Sequence, residues 1–178
     1  MTTAAVSWTV APQPVGSPES AALLRAYLVE LADRWYRLHH GRGVTPEEIE
    51  RHLGEMAGED AALARPGGVL LVARYGGEDD PAGCVGLRRL DARTAEVTRM
   101  FVRAGRRGLG GAPALLAAAE RTARDWGVGR LVLNTRRDLA EARALYARHG
   151  FAESAPYKAP EEDPFAEVWL AKELGRAG

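Results

Sequence analysis

The sequence is poor in cysteine and lysine, has no excess of charge of either sign, and contains no long apolar run. A single cysteine, Cys84, excludes an intramolecular disulfide framework. Among 24 basic residues only Lys158 and Lys172 are lysines. The rest are arginines, and with the abundant Ala and Gly this reads as GC-rich codon usage rather than function. The 24 acidic residues bring the net charge to zero, which argues against a phosphate-backbone binder, so no nucleic-acid partner is expected. Four histidines without ligand spacing do not make a metal site. The absence of a run of about 18 apolar residues leaves no membrane-spanning helix. The opening MTTAAVSWTVAPQP lacks the basic segment and apolar core of a secretion signal, so a cytoplasmic protein is expected.

What is present suits a globular domain. The chain has 178 residues, 46% apolar and 27% charged, which fits one domain over residues 1–178 with flexible first and last few residues. Residues 6–10 alternate as a first strand. Ser17-Pro18-Glu19 is a helix start, with Leu23, Leu24, Tyr27, Leu28, Leu31 and Trp35 at helical spacing and a stop at Gly41-Arg42-Gly43. Thr45-Pro46-Glu47-Glu48 opens a second helix with a capping box. Strands are expected over 69–73 and 82–87, joined by the acidic turn Glu78-Asp79-Asp80-Pro81, and over 94–103. A helix follows from Pro113 to Trp126, then a strand over 130–135, a helix capped by Asp138 that reaches Arg148, and strands over 151–157 and 167–170. The order predicts an α/β mixed sheet flanked by helices, with a parallel pair formed by the strands at 94 and 130.

The segment from Val102 to Leu116, with its glycine-rich loop from Gly105 to Gly111, carries the chemistry. A strand feeds a glycine-rich loop that opens a helix, so backbone N–H groups and the helix N-terminus converge on one point and form an anion cradle. Ala112-Pro113 stands where a nucleotide-triphosphate loop needs Lys followed by Ser or Thr. The loop also lies too late in the chain for a dinucleotide fold.

Three blocks together resemble the GNAT superfamily of N-acetyltransferases. Arg107-Gly108-Leu109-Gly110-Gly111-Ala112 fits that family's R/Q-x-x-G-x-G/A pattern. Glu96-Val97-Thr98-Arg99-Met100-Phe101-Val102 resembles its fourth strand, and Leu145-Tyr146-Ala147-Arg148-His149-Gly150-Phe151 its L-Y-x-x-x-G-F signature. The resemblance covers about residues 68 to 171 and implies a mostly antiparallel sheet with a splayed parallel pair and about four helices.

The resemblance further implies acetyl-CoA as co-substrate, without a metal, and transfer of its acetyl group to a primary amine of a small molecule or peptide. Arg107, Gly108, Leu109, Gly110, Gly111 and Ala112 would hold the pyrophosphate. The backbone of Met100, Phe101 and Val102 would pair with the pantetheine arm, beside a small Ala142. Pro113 departs from the family's frequent Arg or Lys and offers neither N–H nor charge. Glu96 is the candidate general base, on one strand face with Thr98 and Met100; the plainer reading is a rim carboxylate paired with an arginine such as Arg99. Tyr146 is the candidate acid, or a packed core tyrosine. Trp35, His39 and Tyr157 are candidate acceptor contacts. His39 and His40 also suit a helix C-terminus, and His149 a helix end. The Glu161-Glu162-Asp163 run reads as solvated, but would favour a cationic substrate if it faced the pocket. Cys84 reads as inert packing. A catalytically inactive acyl-CoA-binding sensor of the same fold is the alternative function. A monomer or homodimer is expected.

Overall fold

Local signals set the first two helices. The computed structural model describes residues 7–77 and 79–175. Strand β1 (Trp8–Pro12) is followed by helix α1 (Pro18–His40). Ser17 caps α1, its side chain accepting from the Ser20 amide, and Gly41 ends it in the left-handed conformation that only glycine adopts without strain. In α2 (Pro46–Ala61) the Thr45 side chain accepts from the Glu48 amide while Glu48 accepts from the Thr45 amide, so both directions of the capping box form.

One sheet of seven strands follows the order β1-β2-β3-β4-β5-β7-β6. Its further strands are β2 (Gly68–Tyr75), β3 (Pro81–Arg89), β4 (Thr94–Val102), β5 (Arg130–Thr135), β6 (Ala152–Glu153) and β7 (Val168–Glu173). Helices α3 (Gly111–Asp125) and α4 (Ala140–Arg148) complete the order, with a short helical turn at Ala104–Arg106. All neighbours are antiparallel except β4 and β5. The core lies on both faces. Leu115 and Leu116 of α3 pack on Val85, Leu87, Val97 and Leu131, while Leu23 and Leu24 of α1 meet Leu70, Val72 and Phe101 on the other side. Truncating a side chain as buried as Leu115 (0% exposed) to Ala costs about 2–5 kcal/mol.

Two features of β4 create the working cleft. The parallel pairing with β5 covers only Thr94↔Arg130, Ala95↔Leu131 and Glu96↔Val132, after which the strands part. The register with β3 also slips: Gly86 faces Thr98 and Cys84 faces Phe101, so Arg99 and Met100 together oppose Val85. Arg99 has φ 54°, and this bulge bends the strand where the splay begins. It also overturns simple alternation. After the bulge Met100 packs against the core cluster that includes α3, yet it lines the cavity together with Glu96 and Thr98.

Other expectations shift. Helix α3 begins at Gly111, with Pro113 inside its first turn. Asp138 does not cap α4: Leu139 occupies that position without a side-chain bond, because the Asp138 carboxylate is taken by Arg136 and Arg34. The strand expected over 151–157 pairs only at Ala152 and Glu153, and Pro156, which has no N–H for a ladder, follows soon after. Val6 of the expected first strand, Glu78 of the acidic turn, and the residues expected to be flexible at 1–6 and 176–178 lie outside the described residues. Among the described residues no helix is long and apolar enough to cross a membrane.

Candidate active site

The glycine loop leaves β4 through the turn at Ala104–Arg106 and enters α3 at Gly111. Gly108 (φ 75°) and Gly110 (φ 86°) hold left-handed conformations with no atom within 4 Å of where a side chain would begin. Among the described residues no backbone carbonyl accepts from the amides of Gly108 to Ala112, as expected for residues opening a helix. Gly111 is needed for a different reason: a Cβ there would meet the Trp8 ring at 2.6 Å. The Trp8 indole N–H also donates to the Leu109 carbonyl at 2.7 Å. Sequence reading missed Trp8, because nothing local ties it to a loop about a hundred residues away.

The arginines beside the loop are already engaged. Arg107 donates from Nε to the Val102 carbonyl at 2.9 Å and from one Nη to both Glu30 oxygens at 2.6 and 2.7 Å. Arg106 lies over the Tyr75 ring at 5.4 Å.

The splay opens into a cavity of about 390 Å³, bounded by α1, α2, β4, β5, α4 and the loop before β7. Ala142 and Tyr146 line it from α4, and Trp35 and Tyr36 from α1. His39 is not among its lining residues; it is exposed and stacks on Trp35 at 4.7 Å. Tyr157 stands behind the wall, where Asn134 donates to its hydroxyl at 3.3 Å, and burial first, then the Glu96 carboxylate, push its phenol well up. His52, which sequence reading passed over, does reach the cavity. Its Nδ1 lies 2.9 Å from Glu55 and its Nε2 3.5 Å from the Tyr36 hydroxyl.

Glu96 faces the same cavity and is buried, at 3% exposure. Arg88 Nε donates to its Oε1 at 2.9 Å. Lys158 Nζ lies 2.8 Å from Oε2 in an ion pair. Burial opposes ionisation, but Lys158 and Arg88 outweigh it and hold the carboxyl below its ordinary range. Arg99 is therefore not the Glu96 partner. It reaches α2 instead, with Nε 2.8 Å from Asp60 and an Nη 3.1 Å from Glu59.

Tyr146 is 6% exposed and packs edge-on against Phe151 at 5.7 Å. Burial pushes its phenol up, so it keeps its proton at neutral pH. Cys84 is fully buried, donates to the Arg99 carbonyl at 3.3 Å, and burial raises its thiol to about 12. The thiol is inert packing under the bulge. Of the acidic run, Glu162 and Asp163 line the cavity. His149 occupies the position that ends α4.

Residues 26–151 match the Acetyltransferase (GNAT) family, and the chain belongs to that family. It is similar to an IAA acetyltransferase of Azospirillum brasilense, 32% identical over 135 residues that cover 72% of this chain and 87% of the relative. Among solved structures it resembles an acetyltransferase of the GNAT family from Staphylococcus aureus Mu50, with a TM-score of 0.68 and 18% identity over 95% of this chain and 100% of the other. It also resembles a GNAT family acetyltransferase from Elizabethkingia anophelis with acetyl-CoA bound, with a TM-score of 0.60 and 22% identity over 93% and 97%. These structural likenesses match the mixed sheet with its parted β4–β5 pair.

Proposed function

We propose that the protein transfers an acetyl group from acetyl-CoA to a primary amine of a small molecule or peptide by direct attack in a ternary complex. The observation that carries this reading is the continuity of three parts. The amide-lined loop, the parted edge of β4 and a cavity of about 390 Å³ follow one another along the same strand. The loop fits the pyrophosphate of the co-substrate by its unpartnered amides and open glycines, and the β4 edge beyond Glu96 fits its amide-bearing arm.

When bound, acetyl-CoA supplies an activated acyl thioester. The chain's own residues then have three tasks. The backbone from Met100 to Val102 holds the arm and offers an N–H to the carbonyl oxygen as it gains charge. Glu96, ionised at neutral pH, accepts the amine proton through water as the C–N bond forms, when that proton is most acidic. Its depressed pKa makes it a weak base for a free ammonium but an adequate one at that moment. Tyr146, kept protonated by burial, donates to the departing sulfur. Sulfur needs little help, since a thiol has a pKa near 8.5. One bond forms between nitrogen and the acyl carbon, one breaks between that carbon and sulfur, and a proton moves from nitrogen to sulfur; the products are an amide and a free thiol. Pro113 removes one N–H from the start of α3, so the loop amides and Arg107 carry the phosphate contacts.

Calorimetric titration with acetyl-CoA tests the reading, alongside Gly110→Asp, which sets an anion in the cradle at a left-handed position. Wild type should bind and Gly110→Asp should not, and wild type should release thiol with an amine. Binding without turnover across an amine panel would leave the acyl-CoA sensor instead.

A further inference from the structure

The cations that line the cavity are already ion-paired with neighbours. Arg99 is held by Asp60 and Glu59, Lys158 by Glu96, which Arg88 shares, and Arg136 by Asp138 at 2.9 Å, which Arg34 shares. On the acidic side the balance differs. Asp163, half-buried on the loop before β7, and its exposed neighbour Glu162 line the cavity and make no ion pair with a cation among the described residues; Glu162 already accepts from the Ala159 amide at 2.7 Å. Asp163 lines the cavity in the same set of side chains as Tyr27 of α1, Trp35 and Phe165. Tyr27 in turn contacts Phe101 at 6.5 Å and lies under the Arg99 guanidinium at 5.8 Å, beside the bulge where the strands part. Apolar and aromatic side chains make up much of the remaining lining, beside Thr98, Asn134, Glu55 and Glu59. Trp35 meets Phe165 edge-on at 5.5 Å and Tyr36 at 5.3 Å, with Leu28, Leu31 and Met56 nearby.

From this arrangement we infer the acceptor class: a hydrophobic primary amine that carries no carboxylate, phosphate or other acid, its ammonium docked on Asp163. The inference rests on the acetyltransferase reading above. A substrate with its own acid would bring a second anion into a cavity whose cations are engaged, and like charges at close range repel. An ammonium finds a carboxylate without a rival and aromatic faces that attract cations. A hydrophobic body fills the space among Trp35, Tyr36 and Phe165, where a strongly hydrated polyamine chain would lose water for nothing. Asp163 is a specificity-determining residue in this scheme: it docks the ammonium opposite the splay, the ammonium gives one proton to solvent, and the neutral amine then attacks while Glu96 receives the second proton.

Matched pairs that differ only in a carboxylate provide the test: phenethylamine against phenylalanine and tryptamine against tryptophan, with thiol release as the readout. The amines should exceed the amino acids in kcat/KM by about 100-fold. Asp163→Asn should raise KM for the amines by about tenfold while kcat stays within a few-fold, and should narrow the discrimination between the members of each pair. Asp163→Glu, which keeps the charge, should restore most of the affinity, an outcome that a purely structural role for the loop does not give. Amino acids turned over as well as their amines, a polyamine such as spermidine preferred over both, or an unchanged KM in Asp163→Asn would each overturn the inference and leave the transferase reading standing. If no amine of any kind releases thiol while acetyl-CoA still binds, the transferase reading fails and the acceptor assignment falls with it.

Discussion

Trp8 and Leu109 meet across the sheet: the indole N–H of the first strand donates to a carbonyl of the glycine loop at 2.7 Å. The same ring closes over Gly111, so one aromatic side chain fixes both the loop and the first residue of α3. Trp8→Phe keeps the packing and loses the bond, and should weaken acetyl-CoA binding by a few-fold, in line with the roughly 1 kcal/mol of a typical hydrogen bond. Gly111→Ala forces the ring or the helix start to move and should weaken binding by about tenfold or more. Calorimetry on both variants checks the order. Equal affinity in all three proteins would show that the loop holds its shape without Trp8.

Arg107 is paired with Glu30, and both side chains are 46% exposed. Such a pair contributes at most about 1 kcal/mol, so a phosphate can displace the carboxylate. Glu30→Gln should therefore tighten acetyl-CoA binding by about two- to fivefold, and Arg107→Ala should weaken it by about tenfold. If Glu30→Gln weakens binding as much as Arg107→Ala, the arginine braces α1 rather than meeting phosphate.

Glu96 owes its low pKa to two cations. Removing one, as in Lys158→Met, raises the carboxyl pKa, and the acid limb of the rate profile should move to higher pH. Glu96→Gln should lower kcat by about 100-fold with acetyl-CoA affinity unchanged. Tyr146→Phe should lower kcat less, by about tenfold, because the leaving sulfur needs little assistance. Measuring kcat against pH for all three variants separates proton transfer from packing. A Lys158→Met profile that overlays wild type would remove Glu96 from the proton path.

The wall of the cavity formed by α2 should loosen in acid. Hydrogen bonds from Arg42, and then from the Thr45 amide, hold Glu48 down to about 2, below its ordinary value of 4.5. A depressed carboxyl pKa stabilises the fold fully above about 4.5, and that contribution is lost as pH falls from there toward 2. Glu48→Gln should flatten the pH dependence of the urea midpoint within that window and leave its slope elsewhere alone. The exposed position of the pair limits the size of the effect, which high salt should reduce further.

Much of this was legible in the sequence wherever the cause is local. Ser17, Thr45 and Glu48 act within a few residues, so the helix starts were readable. The glycines at 108, 110 and 111 announced a loop that needs left-handed or crowded backbone. What escaped reading depends on partners far along the chain. The bulge at Arg99 is anchored by Asp60 and Glu59 of α2, and no pattern within β4 reports it. Lys158 finds Glu96 only because the loop before β7 folds back over the splay. Asp138 had the composition of a helix cap, but Arg136 and Arg34 competed for its carboxylate and won. Asp163 looked like one of three solvated acids, and its inward position became visible only with the cavity around it.

Strand β7 lies late in the chain, yet it pairs along the whole of β5, from Arg130↔Glu173 to Thr135↔Val168, and separates β5 from β6. During synthesis β5 is made after its parallel neighbour β4 but before its antiparallel neighbour β7. Its open edge must wait, together with an incomplete cavity whose last wall includes Asp163, until residues 168–173 leave the exit tunnel. A nascent chain halted before that point would present an unpaired apolar strand, Leu131-Val132-Leu133, to chaperones or to other chains. Completion of the cavity wall that carries Asp163 thus follows the pairing of β7 with β5, whereas the strands and glycine loop that precede β5 can form earlier.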